Sequence, residues 1–144
     1  MTLVDAPTNA IADRSAQSSS PFSIKNVLFA TDFSATSESA LPYATAICRR
    51  FRSTLHLVHV LSEASLLMMT GGVDYVSMGT IYEDAHNEAK DKLDHIAAHL
   101  ETIPHHNYVR NGVIWKNLAE LIEQNEINLI VHLVQFELSG PASR

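Results

Sequence analysis

The run Lys25-Asn26-Val27-Leu28-Phe29-Ala30-Thr31-Asp32-Phe33-Ser34 carries the most informative pattern in this 144-residue chain. Val27 to Thr31 is short, continuously apolar up to its last residue, and free of the polar alternation that marks a strand with one wet face. It suits a strand buried on both faces of a parallel sheet. The polar Asp32 and Ser34 that follow read as a turn leading into a helix, with Ser34 or Thr36 able to accept from its free N–H groups.

Reading onward, Ser37 to Arg52 places Ala40, Leu41, Ala44, Ile47, Cys48 and Phe51 at helical spacing, with Pro42 tolerable only near the first turn. Thr54 to Val60 reads as a second interior strand, since Leu55, Leu57, Val58 and Val60 fall on both faces. Ser62 to Thr80, with Gly71-Gly72, Gly79 and three methionines but no clean period, reads as a long connection able to cover a site or meet a partner. Ile81 to Ile103 puts Ala85, Ala89, Leu93, Ile96 and Leu100 in one stripe, a long amphipathic helix closed by Pro104. A weak strand around Tyr108-Val109, a helix over Trp115 to Gln124 and a strong strand over Ile127 to Val134 complete the series. This β-α-β-α-β-α-β order predicts one α/β domain: an open parallel sheet of about four strands with helices on both faces.

Composition bounds what such a domain does. A hydrophobic content of 46% is enough for a single core. A net charge of -6 argues against binding a nucleic-acid backbone, and the one basic cluster, Arg49, Arg50 and Arg52, falls where a helix C-terminus attracts positive charge. The single Cys48 lies on an apolar helical stretch and reads as a buried, inert thiol. No apolar run approaches the roughly 20 residues of a bilayer span and no secretory signal is visible, so the expectation is a cytoplasmic protein that does not enter membranes. Residues 1–22, rich in serine near their end, read as a disordered arm, and 23–144 as the domain.

In open parallel sheets ligands bind beyond the carboxyl ends of the strands, where strand order reverses. Asp32 stands at that address. Its carboxylate suits an amino group or ribose hydroxyl, and equally suits capping the helix that follows. Among eight histidines, His95 and His99 have i, i+4 spacing but lack a third ligand, so no metal is expected. His56 and His59 point to opposite faces of their strand, His59 toward the mouth of a cleft. No nucleophile elbow, P-loop or dinucleotide glycine fingerprint is present, and no catalytic residue is expected.

Asn26 to Ser34, then Ser37, Ala40-Leu41, Tyr43-Ala44 and Leu55-His56-Leu57-Val58-His59-Val60, resemble the opening of universal stress proteins. Gly112-Val113-Ile114-Trp115, Leu118 to Ile122 and Ile127 to Val131 resemble that family's third helix and fourth strand. The resemblance spans about Lys25 to Val131. It implies a Rossmann-like, adenine nucleotide alpha hydrolase-like fold and an adenine-nucleotide cleft. In that cleft Asp32 would contact adenine, Val60 would offer backbone hydrogen bonds to the base, and Ala30, with Thr31 beside it, would lie near the ribose.

Family members that bind ATP follow strand four with Gly-x-x-Gly, nine residues and Gly-Ser or Gly-Thr, whose N–H groups and hydroxyl cradle the phosphates. Here Val131 is followed by His132-Leu133-Val134-Gln135-Phe136, and Gly140 stands alone before Pro141. The expectation is a domain incomplete at its C-terminus, its fifth strand missing, with ATP or another adenine nucleotide held weakly or not at all. Strand four would then be an open edge beside Leu133, Val134 and Phe136, suited to a homodimer or a partner protein. The reading is a non-enzymatic regulatory or binding module of the stress response. The alternatives are a protein-interaction module of the same fold without nucleotide, or a frameshift-truncated gene product.

Overall fold

The computed structural model describes residues 22–71 and 75–133. The arm up to Pro21, Gly72, and the segment from Val134 onward, on which the readings of a lost phosphate loop, a missing fifth strand and part of the open edge rest, lie outside the described residues.

Asn26–Ala30 forms β1, and its side chains divide between two cores because successive residues point to opposite faces. Val27 and Phe29 are fully buried with Ala44, Cys48, Leu93 and Ile96, while Leu28 and Ala30 are buried with Val58 and Leu121. β2 (Thr54–Leu61) lies beside it, Leu55 and Leu57 joining the first cluster and Val58 and Val60 the second. β3 (His105–Asn111) pairs with β2 over seven positions, and β4 (Leu129–Val131) pairs with β1 over three. All pairings are parallel, and the order is β3-β2-β1-β4, so the direction of winding reverses between β1 and β4.

Helices cover both faces, as the sequence predicts, with several boundaries corrected. The expected single helix from Ser37 to Arg52 is two: α1 (Ala35–Glu38) and α2 (Leu41–Phe51), separated by Ser39 and Ala40. Pro42 is the reason. It has no N–H to return to the Glu38 carbonyl, so it sits in the first turn of a new helix. Ser34 caps α1, its Oγ accepting from Ser37 N at 3.1 Å.

The expected long connection after Ser62 is in fact helical. α3 (Glu63–Thr70) starts on the Ser62 cap, ends at Gly71 with φ 56, and docks through Leu66 against Leu61, Tyr82 and Ala85. Irregular spacing hid it, because among its described side chains Leu66 alone is buried, which leaves no stripe to display. α4 (Tyr75–Ala97) begins earlier and ends earlier than its stripe suggests; backbone turns from Ala97 to Ile103 keep Leu100 and Ile103 in the core. α5 (Ile114–Gln124) packs Leu121 on the opposite face. The expected strand from Ile127 to Val134 is reduced to Leu129–Val131, with His132 and Leu133 outside it; at its head Asn128 N–H donates to Asn26 O at 2.9 Å and Asn128 Oδ1 accepts from the N–H groups of Lys25 and Asn26. No helix among the described residues is long and apolar enough to cross a membrane.

Candidate functional site

Beyond the carboxyl ends of β1 and β2 the chain leaves a cleft of about 310 Å3. Asp32, Phe33, His59 and Val60 line it from the strand ends, Lys92 from α4 and Ile114 from the start of α5. Larger depressions of about 530 and 460 Å3 lie between α4 and the α1–α2 pair, among Glu38, Asp84, Asp91, His95 and His99, and one of about 490 Å3 lies between α3 and α4 beside Leu66 and Tyr82. They gather helix-surface side chains and no strand-end atoms, so the smaller cleft is the better site for a fold of this kind.

The floor of the cleft is the turn from Thr31 to Ser34. Thr31 is buried; its N–H donates to Val58 O at 3.0 Å, and its Oγ1 lies 2.9 Å from Ser37 Oγ and accepts from Phe33 N at 2.9 Å. Asp32 is exposed, and its Oδ1 accepts from Ser34 N at 2.9 Å. Hydrogen bonds from Ser34 hold the Asp32 carboxyl down at about 2, outweighing the opposite effect of desolvation. The residue is therefore an anion at any physiological pH, and it both braces the turn and faces the cleft.

Phe33 adopts φ 63, the left-handed region that costs a non-glycine residue roughly 1–2 kcal/mol. That conformation turns the ring inward, 4.3 Å from the His59 ring, with Lys92 Nζ 5.3 Å from its centre. His59 Nδ1–H donates to Thr31 O at 2.8 Å, so neutral His59 keeps Nε2 as an acceptor. Burial lowers the His59 pKa, only partly opposed by the Thr31 hydrogen bond and the Asp32 charge, and the ring is uncharged at pH 7. Lys92 Nζ pairs with Glu88 Oε1 at 2.7 Å on the adjacent turn of α4.

Of the four residues singled out in the sequence, Asp32 and Val60 line the cleft. Ala30 is buried on the α5 side of the sheet and Thr31 beneath the turn. Phe33 and Lys92 were not anticipated as site residues. The i, i+4 pair Glu88/Lys92 was the available signal for Lys92, whereas nothing in the sequence announces the left-handed turn at Phe33. His56 lies on the opposite face from His59, its Nδ1 3.1 Å from Tyr108 Oη and its Nε2 3.2 Å from Asn26 Oδ1. No group of three or more metal-ligating side chains is found among the described residues.

The sequence profile of the universal stress protein family matches residues 23–132, which takes in every strand and helix described. The chain belongs to the universal stress protein family. Among solved structures, the fold is similar to that of hypothetical protein MJ0577, with a TM-score of 0.65, 22% identity, and coverage of 77% of this chain and 75% of that one. It is equally similar to universal stress protein UspA from Lactobacillus plantarum, with a TM-score of 0.65, 19% identity and 85% of each chain covered. A universal stress protein family member from Burkholderia pseudomallei follows with a TM-score of 0.54, 17% identity and coverage of 74% and 79%. At these identities the likeness is one of fold. A comparison with curated proteins finds none that matches.

Proposed function

We propose that this universal stress protein is a non-catalytic binding module of the cytoplasmic stress response, whose cleft takes the base and ribose of an adenine nucleotide and gains little from its phosphates. The observation that carries this reading is the convergence of Asp32 and Val60 on one cleft at the strand ends. An ionised carboxylate there accepts from an exocyclic amino group or a ribose hydroxyl, and the half-buried β2 end offers backbone groups beside it. The weakened phosphate grip is inferred from the sequence: where the family's ATP-binding members place Gly-x-x-Gly, this chain has His132-Leu133-Val134-Gln135, which offers no glycine nest.

Thermal unfolding with and without adenosine tests the reading. Ligand should raise the melting temperature of the natural chain, and Asp32→Ala should abolish the rise. A rise that survives Asp32→Ala would place the ligand elsewhere, and micromolar ATP binding clearly tighter than adenosine in calorimetry would refute the weakened phosphate grip.

A second role is favoured by the β4 edge. Among the described residues β4 pairs only with β1, Ile130 is 45% exposed and Leu133 41%. Three residues of open backbone with an apolar flank suit pairing with a second copy. Light scattering at tens of micromolar should give twice the mass of one chain; the mass of a monomer at that concentration would rule this role out.

A further inference from the structure

The charges around the cleft say which adenine compound it prefers. We infer that it selects the uncharged nucleoside, adenosine, and discriminates against the phosphorylated forms. This rests on the adenine reading of the cleft and adds a direction to it: phosphates are a penalty, beyond merely finding no nest.

Among the described residues that line the cleft, Asp32 and Glu88 are carboxylates and Lys92 is the one cation. With His59 neutral these described residues carry one net negative charge, inside a protein whose net charge is also negative. Lys92 is not held in reserve for a phosphate: its Nζ lies 2.7 Å from Glu88 and over the Phe33 ring. The pair is half-exposed, so a phosphate could compete for the lysine, but doing so leaves Glu88 unpaired beside the incoming anion.

Helix ends are the other source of positive potential, and the three that border the cleft are limited. The α1 start is a single turn, capped by Ser34 Oγ accepting from Ser37 N and carrying Glu38. The α3 start is already satisfied, with Ser65 N donating to Ser62 Oγ at 3.2 Å and Glu63 supplying a carboxylate in the first turn. The α5 start has no side-chain cap and no acid in its first turn. Its dipole is worth roughly half a charge, which does not cancel a full unit of the opposite sign. Size agrees: about 310 Å3 is at the small end of ligand pockets, roughly 300–1,000 Å3, and suits a base and ribose.

The test is calorimetric titration of the full chain with adenosine, AMP and ATP at low ionic strength and pH 7.5, repeated at high salt and in Glu88→Gln. Adenosine should bind about threefold or more tighter than AMP, and AMP tighter than ATP, the size expected for one solvent-screened like-charge contact at each step. Added salt should narrow the gap, and Glu88→Gln, which frees Lys92, should close it. Equal or tighter binding of AMP in the natural chain, or a gap indifferent to both salt and Glu88→Gln, would overturn the inference while leaving an Asp32-dependent adenine site standing. Failure of all three compounds to bind would remove the adenine reading and this inference with it.

Discussion

His59 Nδ1–H donates to the carbonyl oxygen of Thr31 at 2.8 Å, tying the end of β2 to the turn that carries Asp32. The bond crosses between neighbouring strands where their ladder stops, and the Phe33 ring closes over it at 4.3 Å. Removing the imidazole therefore removes both a partly buried hydrogen bond and the ring contact. His59→Ala should cost about 1–3 kcal/mol of stability, measured as a lower urea midpoint with an unchanged slope.

The same histidine gives stability a pH dependence, shared with His56. Burial lowers the pKa of each below the ordinary 6.5, with His106 adding repulsion at His56. The unfolded chain then binds these protons more readily than the folded one. Their contribution is complete above pH 6.5 and is lost as the pH falls through the lowered folded values. Urea midpoints should be level from pH 8 to 7 and decline between pH 6.5 and 5, with a shallower decline in His56→Gln than in the natural chain. A midpoint that rises on acidification would contradict the neutral assignment of both rings.

On the α5 face the core is centred on one side chain, with Leu118 and Ile122 packed at its margin. Leu121 is the fully buried residue of α5, packed with Leu28, Ala30 and Val58, whereas Trp115 on the same helix is 73% exposed. Leu121→Ala should destabilise by about 2–5 kcal/mol, through lost transfer energy and the cavity left behind. Trp115→Ala should stay within about 0.5 kcal/mol. Chemical denaturation of the two variants side by side checks the contrast.

Arg52 closes α2 in the left-handed conformation, φ 56, with its N–H donating to Cys48 O. Glycine takes that conformation without a Cβ penalty. Arg52→Gly should raise the melting temperature by the equivalent of about 0.5–1 kcal/mol, the relief being reduced by the extra freedom glycine gains in the unfolded chain. Scanning calorimetry reads the shift directly.

Sequence and structure agree best where burial is two-sided and continuous. Val27 to Ala30 and Leu55 to Val58 leave no alternative to an interior parallel sheet, and their pairing register follows. The stripe Ala85, Ala89, Leu93, Ile96 and Leu100 is buried throughout. Reading fails where a short element is held by one contact. Among the described side chains of α3 Leu66 alone is buried, while Leu67 and Met68 are 61% and 90% exposed, so no period survives to be seen. At the site, Asp32 and Val60 are legible because strand ends are legible. Phe33 is not, because a left-handed backbone at a bulky residue is a choice made by packing against His59 rather than by local preference.

β4 joins β1 from the far end of the described chain, and this sets an order of assembly. β1, β2 and β3 are successive strands joined through helices, and their paired residues lie closer in sequence than those of β1 and β4, which favours their pairing first. The free side of β1 then waits for Leu129, Ile130 and Val131, which lie about a hundred residues further along the chain and form the last strand among the described residues. During that interval Val27, Leu28 and Phe29 present unpaired backbone between apolar faces. Until β4 docks, that side of β1 is thus where this topology is most exposed to mispairing.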